Sequence, residues 1–116
     1  MKYMLLMYWN QSETPELPPE EQQAAAQAWF AYLEEAKAAG VLLDNNGLAP
    51  AASATTVRVR DGKTLVIDGP FAETHEQMGG YFVLNCADID EAIKWAEKIP
   101  AAQYGSIEIR PLWSPG

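Results

Sequence analysis

The chain has 116 residues, of which 48% are apolar and 21% charged, and its formal net charge at pH 7 is −8. These values are typical of one globular domain that can bury a core, and they exclude a disordered chain. The negative charge, without a cluster of Lys and Arg, argues against nucleic acid and anionic membranes as partners. No apolar run approaches the ~20 residues that cross a bilayer, and the N-terminal run lacks a signal-peptide cleavage site, so we expect a cytoplasmic protein.

The first elements along the chain are an apolar strand and an amphipathic helix. The run from Lys2 to Trp9 shows no polar alternation, which predicts a strand covered on both faces. Proline and glutamate at Pro18–Glu21 favour a helix start, and the helix should run to about Ala39, with Gly40 as its stop. Its apolar face should consist of Ala25, Trp29, Tyr32, Leu33 and Ala36.

The central segment predicts a turn followed by a β-hairpin. Val41–Leu43 is a short extended piece, and Asp44–Gly47 is typical of a turn, because its side chains tolerate left-handed backbone geometry. Thr56–Arg60 and Thr64–Asp68 each alternate between apolar and polar residues, and Asp61-Gly62 between them suits a type I′ turn. These two strands should therefore pair as a hairpin.

A second apolar strand and a second helix follow. Gly80–Cys86 has apolar groups on both faces, and the lone cysteine at its end should be a buried thiol. Asp88 and Glu91 have the spacing of a capping box, which predicts a helix start, and Pro100 ends that helix. The helix should bury Ile89, Ala92, Ile93 and Ala96.

The chain closes with an alternating strand at Ser106–Arg110, which Pro111 places at a sheet edge. The order strand, helix, hairpin, strand, helix, strand predicts an α+β fold. It corresponds to a ferredoxin-like βαββαβ plan with its second strand elaborated into a hairpin. No repeat or linker divides the sequence, so residues 1–116 should form a single domain.

This plan also predicts an assembly. Both helices pack on one face of the sheet, which leaves the apolar residues of the two central strands bare on the other face. Exposing them would cost roughly 1.5–3 kcal/mol for each large side chain. A second copy packed sheet on sheet is the simplest cover, so we expect a homodimer; a curled hairpin or an unrelated protein partner are the alternatives.

The segment Asp68–Glu76 is the best candidate for a functional loop. Gly69-Pro70 forces a sharp turn after the preceding strand, and an aromatic, three carboxylates and the one histidine follow or flank it. His75 could act as a general base oriented by a glutamate, although a solvated loop histidine looks identical in sequence. Asp68 could orient a ligand, but acceptance of hydrogen bonds from loop amides is its more usual role.

Other readings of the loop are weaker. Glu73, His75 and Glu76 lack the spacing of a known metal site, so we predict no metal, and no motif indicates a cofactor. Phe71 should anchor the loop into the core or a dimer seam, with ligand stacking as the alternative. Trp9, Trp29, Trp95 and Tyr104 are likewise expected in the core or an interface. Gly79-Gly80 precedes a strand without Walker spacing and is no phosphate loop.

The loop and its surroundings resemble the YCII-related family, specifically the branch named for its Asp-Gly-Pro-Phe motif. The resemblance runs from Ala54 through Asp68-Gly69-Pro70-Phe71 to Gly79-Gly80-Tyr81 and covers nearly the whole chain. Further matching pieces are Lys2-Tyr3-Met4-Leu5-Leu6, Gly40-Val41-Leu42-Leu43, Thr55-Thr56-Val57-Arg58, Asp61-Gly62-Lys63, Ala92 with Trp95-Ala96, Ile99-Pro100-Ala101-Ala102, Tyr104-Gly105-Ser106 and Glu108-Ile109-Arg110-Pro111.

The resemblance implies a dimeric α/β-barrel built from ferredoxin-like subunits, in a family whose biochemical role is largely unassigned. Members are often found beside extracytoplasmic-function sigma factors. Shorter members carry a histidine on the first helix that, with an aspartate, is a suggested acid–base pair. Trp29 stands at that position here, so the pair is absent, and His75 stands where this branch more often has lysine.

Three functions follow as hypotheses. The first is a homodimer that binds a small molecule in a cleft lined by Asp68, Phe71, Glu73 and His75. The second is a regulatory module whose acidic surface meets a basic protein, such as a sigma factor. The third is an acid–base enzyme in which His75, with Asp68, is the catalytic candidate.

Overall fold

The computed structural model describes residues 1–13 and 16–113 as an α+β fold. Four antiparallel strands form one sheet in the order β2-β5-β1-β6, and β3 and β4 form a separate two-stranded hairpin. The elements are β1 Lys2–Trp9, α1 Pro19–Ala38, β2 Leu42–Gly47, β3 Thr55–Arg60, β4 Lys63–Asp68, β5 Gln77–Asn85, α2 Ile89–Glu97 and β6 Ser106–Pro111. As expected, the two most apolar strands, β1 and β5, are central, and β6 lies at an edge.

The core lies on one face of this sheet. Alternate side chains of β1 are buried, namely Tyr3, Leu5 and Met7. Their neighbours across the strand pair include Leu84 and Phe82 of β5, which are also buried. The two helices add the remaining layer through Tyr32, Ala36, Ala92 and Ala96. Both helices therefore cover the same face.

The other face of the sheet, here called the open face, carries the intervening residues. Met4 and Leu6 of β1 and Val83 of β5 are only partly buried, because the helices lie behind the sheet. Tyr8 and Tyr81 stand on the same face, and each donates a hydrogen bond to a carboxylate at a sheet edge. The sequence predicted that both faces of β1 are covered. In this single chain the helices cover one face, and the other is partly exposed. No helix in the described residues is long and apolar enough to cross a membrane.

Local signals in the sequence set several boundaries correctly. Gly40 has a φ of 73° and ends α1, as predicted. Asp88 accepts a hydrogen bond from the amide of Glu91 at 2.9 Å, which confirms the predicted cap, and the Glu91 carboxylate reaches back to accept one from the amide of Ala87 at 2.9 Å, one residue before the cap. Cys86 is buried, also as predicted.

Three expectations about the elements were wrong. The hairpin was expected to supply the second strand of the sheet, but β2 occupies that position, and β3 and β4 pair with each other instead. Residues 44–47, expected as a turn, belong to β2, because their backbone pairs with β5 from Asp44↔Val83 to Gly47↔Gly80. Ile89 and Ile93 were expected in the core but are exposed. The buried face of α2 instead presents the small residues Ala92 and Ala96 to the sheet, since the helix packs close to it.

The hairpin projects from the rest of the chain. Asp61 and Gly62 have φ values of 53° and 73°, as the predicted type I′ turn requires. Every residue of β3 and β4 is exposed except Thr56, which is half-buried. The Cα radius of gyration is 16.5 Å, whereas a compact chain of this length has about 13 Å. A large part of the difference comes from an arm that does not pack on the sheet.

Candidate functional site

The loop after the hairpin starts from a closed base. Gly69 has a φ of 100°, which disfavours any residue with a side chain, and its amide donates to the carbonyl of Ala54 at 2.6 Å. The hydroxyl of Thr56 donates to the carbonyl of Gly69 at 2.8 Å. These bonds hold the two ends of the hairpin together and direct residues 70–76 back towards the sheet.

Two glutamines then join the loop to distant segments. The side-chain oxygen of Gln77 accepts a hydrogen bond from the amide of Gln11 at 2.9 Å, and the side-chain oxygen of Gln11 accepts one from the amide of Ala51 at 2.8 Å. The Gln77 amide group also donates to the carbonyl of Thr74 at 2.5 Å. The loop, the segment after β1 and the segment before β3 are therefore connected by polar contacts.

A cavity of about 630 Å³ lies between these segments. Its only ionisable carboxyl is Glu76, which accepts a hydrogen bond from the hydroxyl of Ser106 at 2.7 Å. Burial, followed by the nearby Glu108, raises the pKa of the Tyr8 phenol, so Tyr8 is a neutral hydrogen-bonding group near pH 7. The cavity is lined by Tyr8, Leu48, Ala49, Pro50, Ala51, Ser53, Ala54, Pro70, Phe71, Ala72, Thr74, Glu76, Gln77 and Met78.

The structure separates the four residues that the sequence grouped in one cleft. Phe71 lines the main cavity and is 76% exposed, so the expected anchoring into the core of the chain is wrong. Glu73 lines an adjoining cavity of about 540 Å³, together with Gln11 and Ser12. Asp68 and His75 line neither of these two cavities.

The structure provides no orienting partner for the histidine among the described residues. His75 is exposed, and within the described chain its ring has no hydrogen bond or ion pair with Glu73, Glu76 or any other group. Asp68 is also exposed and accepts no bond from the loop amides, because the amide of Gly69 is bonded to Ala54 instead. Within residues 1–13 and 16–113, no three His, Cys, Asp or Glu side chains form a group that could hold a metal ion.

A smaller aromatic cavity of about 270 Å³ lies on the helical side of the sheet. Trp29 lies nearly parallel to Phe82, with ring centroids 6.3 Å apart, and Trp9 meets Tyr104 edge to face at the same distance. Trp9, Trp29 and Trp95 pack against the core as predicted, whereas Tyr104 is exposed. Trp29 lines this cavity, and none of its lining residues in the described parts of the chain is a histidine.

Most of the cavity wall has no direct signal in the sequence. Residues 48–54 have little periodicity, and Gln11 and Gln77 are 66 positions apart. They meet only because β1 and β5 pair, with Trp9 opposite Gln77. The one available signal was that each glutamine lies at or just beyond the end of a central strand.

The architecture defines a small α+β protein with an open sheet face, a projecting hairpin and a loop-walled cavity. Residues 1–114 match the family model for the YCII-related domain, so the chain belongs to the YCII-related family. It is 38% identical over 120 residues to an uncharacterized protein of Rhizobium meliloti (strain 1021), an alignment that covers 100% of this chain and 97% of the relative. The biochemical role of that relative is not assigned by its description.

Proposed function

We propose that this protein binds a small molecule in the cavity beside the Asp68–Glu76 loop and acts as a homodimer. The supporting observation is the cavity of about 630 Å³, which falls within the range of roughly 300–1,000 Å³ typical of ligand sites. Its walls come from three parts of the chain that hydrogen bonds hold in register. Its lining is mainly apolar with a few polar groups, as in most such sites.

The charges around this cavity limit the class of ligand. Glu76 is its one charged lining residue, and the whole chain carries −8. Both features disfavour an anion. The ligand is therefore a compact molecule with an apolar body that is neutral or cationic. Phe71 packs against that body, while Tyr8 and Glu76 bind its polar end; Glu73 contacts a ligand that extends into the adjoining cavity.

The homodimer is supported by the strand order and by the open face. The order β2-β5-β1-β6 is that of a ferredoxin-like sheet, with β3 and β4 inserted as an extra hairpin. Met4, Leu6 and Val83 remain partly exposed on the open face of the single chain. A second copy packed on this face buries them and produces a dimeric α/β-barrel.

A thermal-shift screen with a metabolite library tests the ligand proposal. A neutral or cationic compound should raise the melting temperature, because binding to the folded state stabilises it. The shift in melting temperature should be lost in Phe71→Ala and kept in His75→Ala, since Phe71 lines the main cavity and His75 does not. A shift that survives Phe71→Ala, or depends on His75, would place the ligand elsewhere.

A regulatory module that binds a basic protein is the second candidate function. The net charge of −8 favours such a partner, and the gene neighbourhoods implied by the family resemblance suggest a sigma factor. This candidate predicts binding to a purified basic partner that weakens with salt and is indifferent to Phe71→Ala. An acid–base enzyme that uses His75 is the least supported, because the exposed ring has no partner to orient it among the described residues.

A further inference from the structure

The β3–β4 hairpin has two chemically different faces. The register pairs Val57 with Val66 and Val59 with Thr64, so the three valines share one face, here called the valine face. The opposite face pairs Arg58 with Leu65 and Arg60 with Lys63. One side of the ribbon is therefore uncharged and β-branched along most of its length, and the other carries three basic residues beside Leu65 and Ile67.

Nothing in the described chain covers the valine face. Val57, Val59 and Val66 are 60%, 59% and 63% exposed. An isolated two-stranded hairpin is marginal in water and normally needs a packing surface on one side. The hydrogen bonds at its base, from Gly69 to Ala54 and from Thr56 to Gly69, join the two ends of the hairpin, and β3 and β4 pair with each other instead of with the four-stranded sheet. The covering surface must therefore come from another molecule.

We infer that this hairpin is an arm that docks its valine face on a second copy of the chain, at the edge of that copy's open face. The inference rests on the proposed homodimer and adds the element that holds it together. Ala54 at the hairpin base, Phe71, Tyr8 and Met78 line the same cavity, and Tyr8 pairs with Met78 in the sheet beside the open face. A second copy bound at the open face thus lies within reach of the arm.

The charge distribution favours a second copy as the occupant. Residues 55–68 contain three basic and two acidic side chains, a net charge of +1, which leaves −9 for the rest of the chain. The open face is flanked by Asp44 on β2 and Glu108 on β6, which accept hydrogen bonds from Tyr81 and Tyr8. The long side chains of Arg60 and Lys63 at the hairpin tip can reach around a two-stranded ribbon to such carboxylates.

The test is sedimentation of the full chain and of four variants. We expect the wild type to be a dimer, and the double variant Val57→Glu, Val66→Glu to have a dissociation constant at least ~10-fold higher, because charge replaces the docked valines. Phe30→Glu is the matched control, since Phe30 is 65% exposed on α1 and outside the arm, and it should remain dimeric. Val57→Thr with Val66→Thr keeps strand propensity and should weaken the dimer less.

The outcomes separate this inference from the proposals on which it rests. If the wild type is monomeric, or if the valine variants dimerise like the wild type, the arm does not dock on a second copy. Leu6→Glu, on the open face, distinguishes a sheet-on-sheet dimer from one held by the arm. If Leu6→Glu breaks the dimer and the valine variants do not, the sheet-on-sheet dimer is supported and the docked arm is rejected. Retention of far-ultraviolet dichroism and of core tryptophan fluorescence shows that each variant is folded. The ligand-induced shift that depends on Phe71 is measured separately and is unaffected by either result.

Discussion

Trp9 lies directly over the backbone of Gly79, and this contact explains why β5 has a glycine at this position. A Cβ added at Gly79 would collide with the indole atoms Cη2, Cζ2 and Cζ3 of Trp9. Gly79→Ala should therefore lower the free energy of unfolding by about 1–3 kcal/mol, because the indole must move. Gly47→Ala is the control, since no atom lies within 4 Å of its added Cβ. Equal urea midpoints for the two variants would contradict this reading.

The buried Tyr32 phenol makes stability depend on alkaline pH. Burial raises its pKa, and its hydroxyl donates to the carbonyl of Trp95 at 3.1 Å. In the unfolded chain the phenol loses its proton near pH 10, whereas the folded state keeps it, so its contribution is complete below about pH 10 and is lost as the pH rises further. Tyr32→Phe should cost about 1 kcal/mol at neutral pH and reduce the loss of stability above about pH 10. Urea unfolding at neutral pH and above about pH 10 measures both effects. If stability falls with rising pH as steeply in Tyr32→Phe as in the wild type, Tyr32 is not the source of that fall.

At the scale of single elements, the start of α2 offers the sharpest test. Asp88 caps this helix through the amide of Glu91. Asp88→Ala should destabilise the protein by about 0.5–2 kcal/mol, whereas Asp88→Asn should retain most of the stability, because asparagine also caps helices. Asp90→Ala, in the same first turn, is the control for lost charge. If Asp90→Ala lowers the melting temperature more than Asp88→Ala does, the interaction with the helix dipole contributes more to stability than the cap.

Elements whose signals are local were predicted correctly, whereas β2, which is defined by its pairing, was not. The capping box, the Asp61-Gly62 turn and the Gly40 stop each depend on a few adjacent residues. Residues 44–47 became a strand because β5 lies beside them, and turn-forming side chains could not reveal that neighbour. The same limit applies to the cavity. Phe71 was found from its motif, but Gln11 and residues 48–54 reach it only through tertiary contacts.

At the scale of the whole molecule, positive charge lies at the tip of the projecting hairpin, and negative charge predominates in the rest of the chain. The basic tip projects on an arm, and the remainder of the chain is strongly acidic. A monomer gains little from this arrangement, because the arm does not fold back on its own sheet. Between two copies, the same arrangement attracts each arm to the acidic body of the other.

Reversal of the charge at the tip tests this electrostatic contribution. Arg60→Glu with Lys63→Glu should raise the dissociation constant of the dimer at about 0.1 M NaCl, and the difference from the wild type should shrink at about 1 M, where the Debye length falls from about 10 Å to about 3 Å. Lys37→Glu with Lys94→Glu changes the net charge equally but on the helices, so it should have the smaller effect. Analytical ultracentrifugation at both salt concentrations provides the comparison. If the helix pair weakens the dimer as much as the tip pair, general repulsion between acidic chains accounts for the effect, and the arm carries no specific electrostatic role.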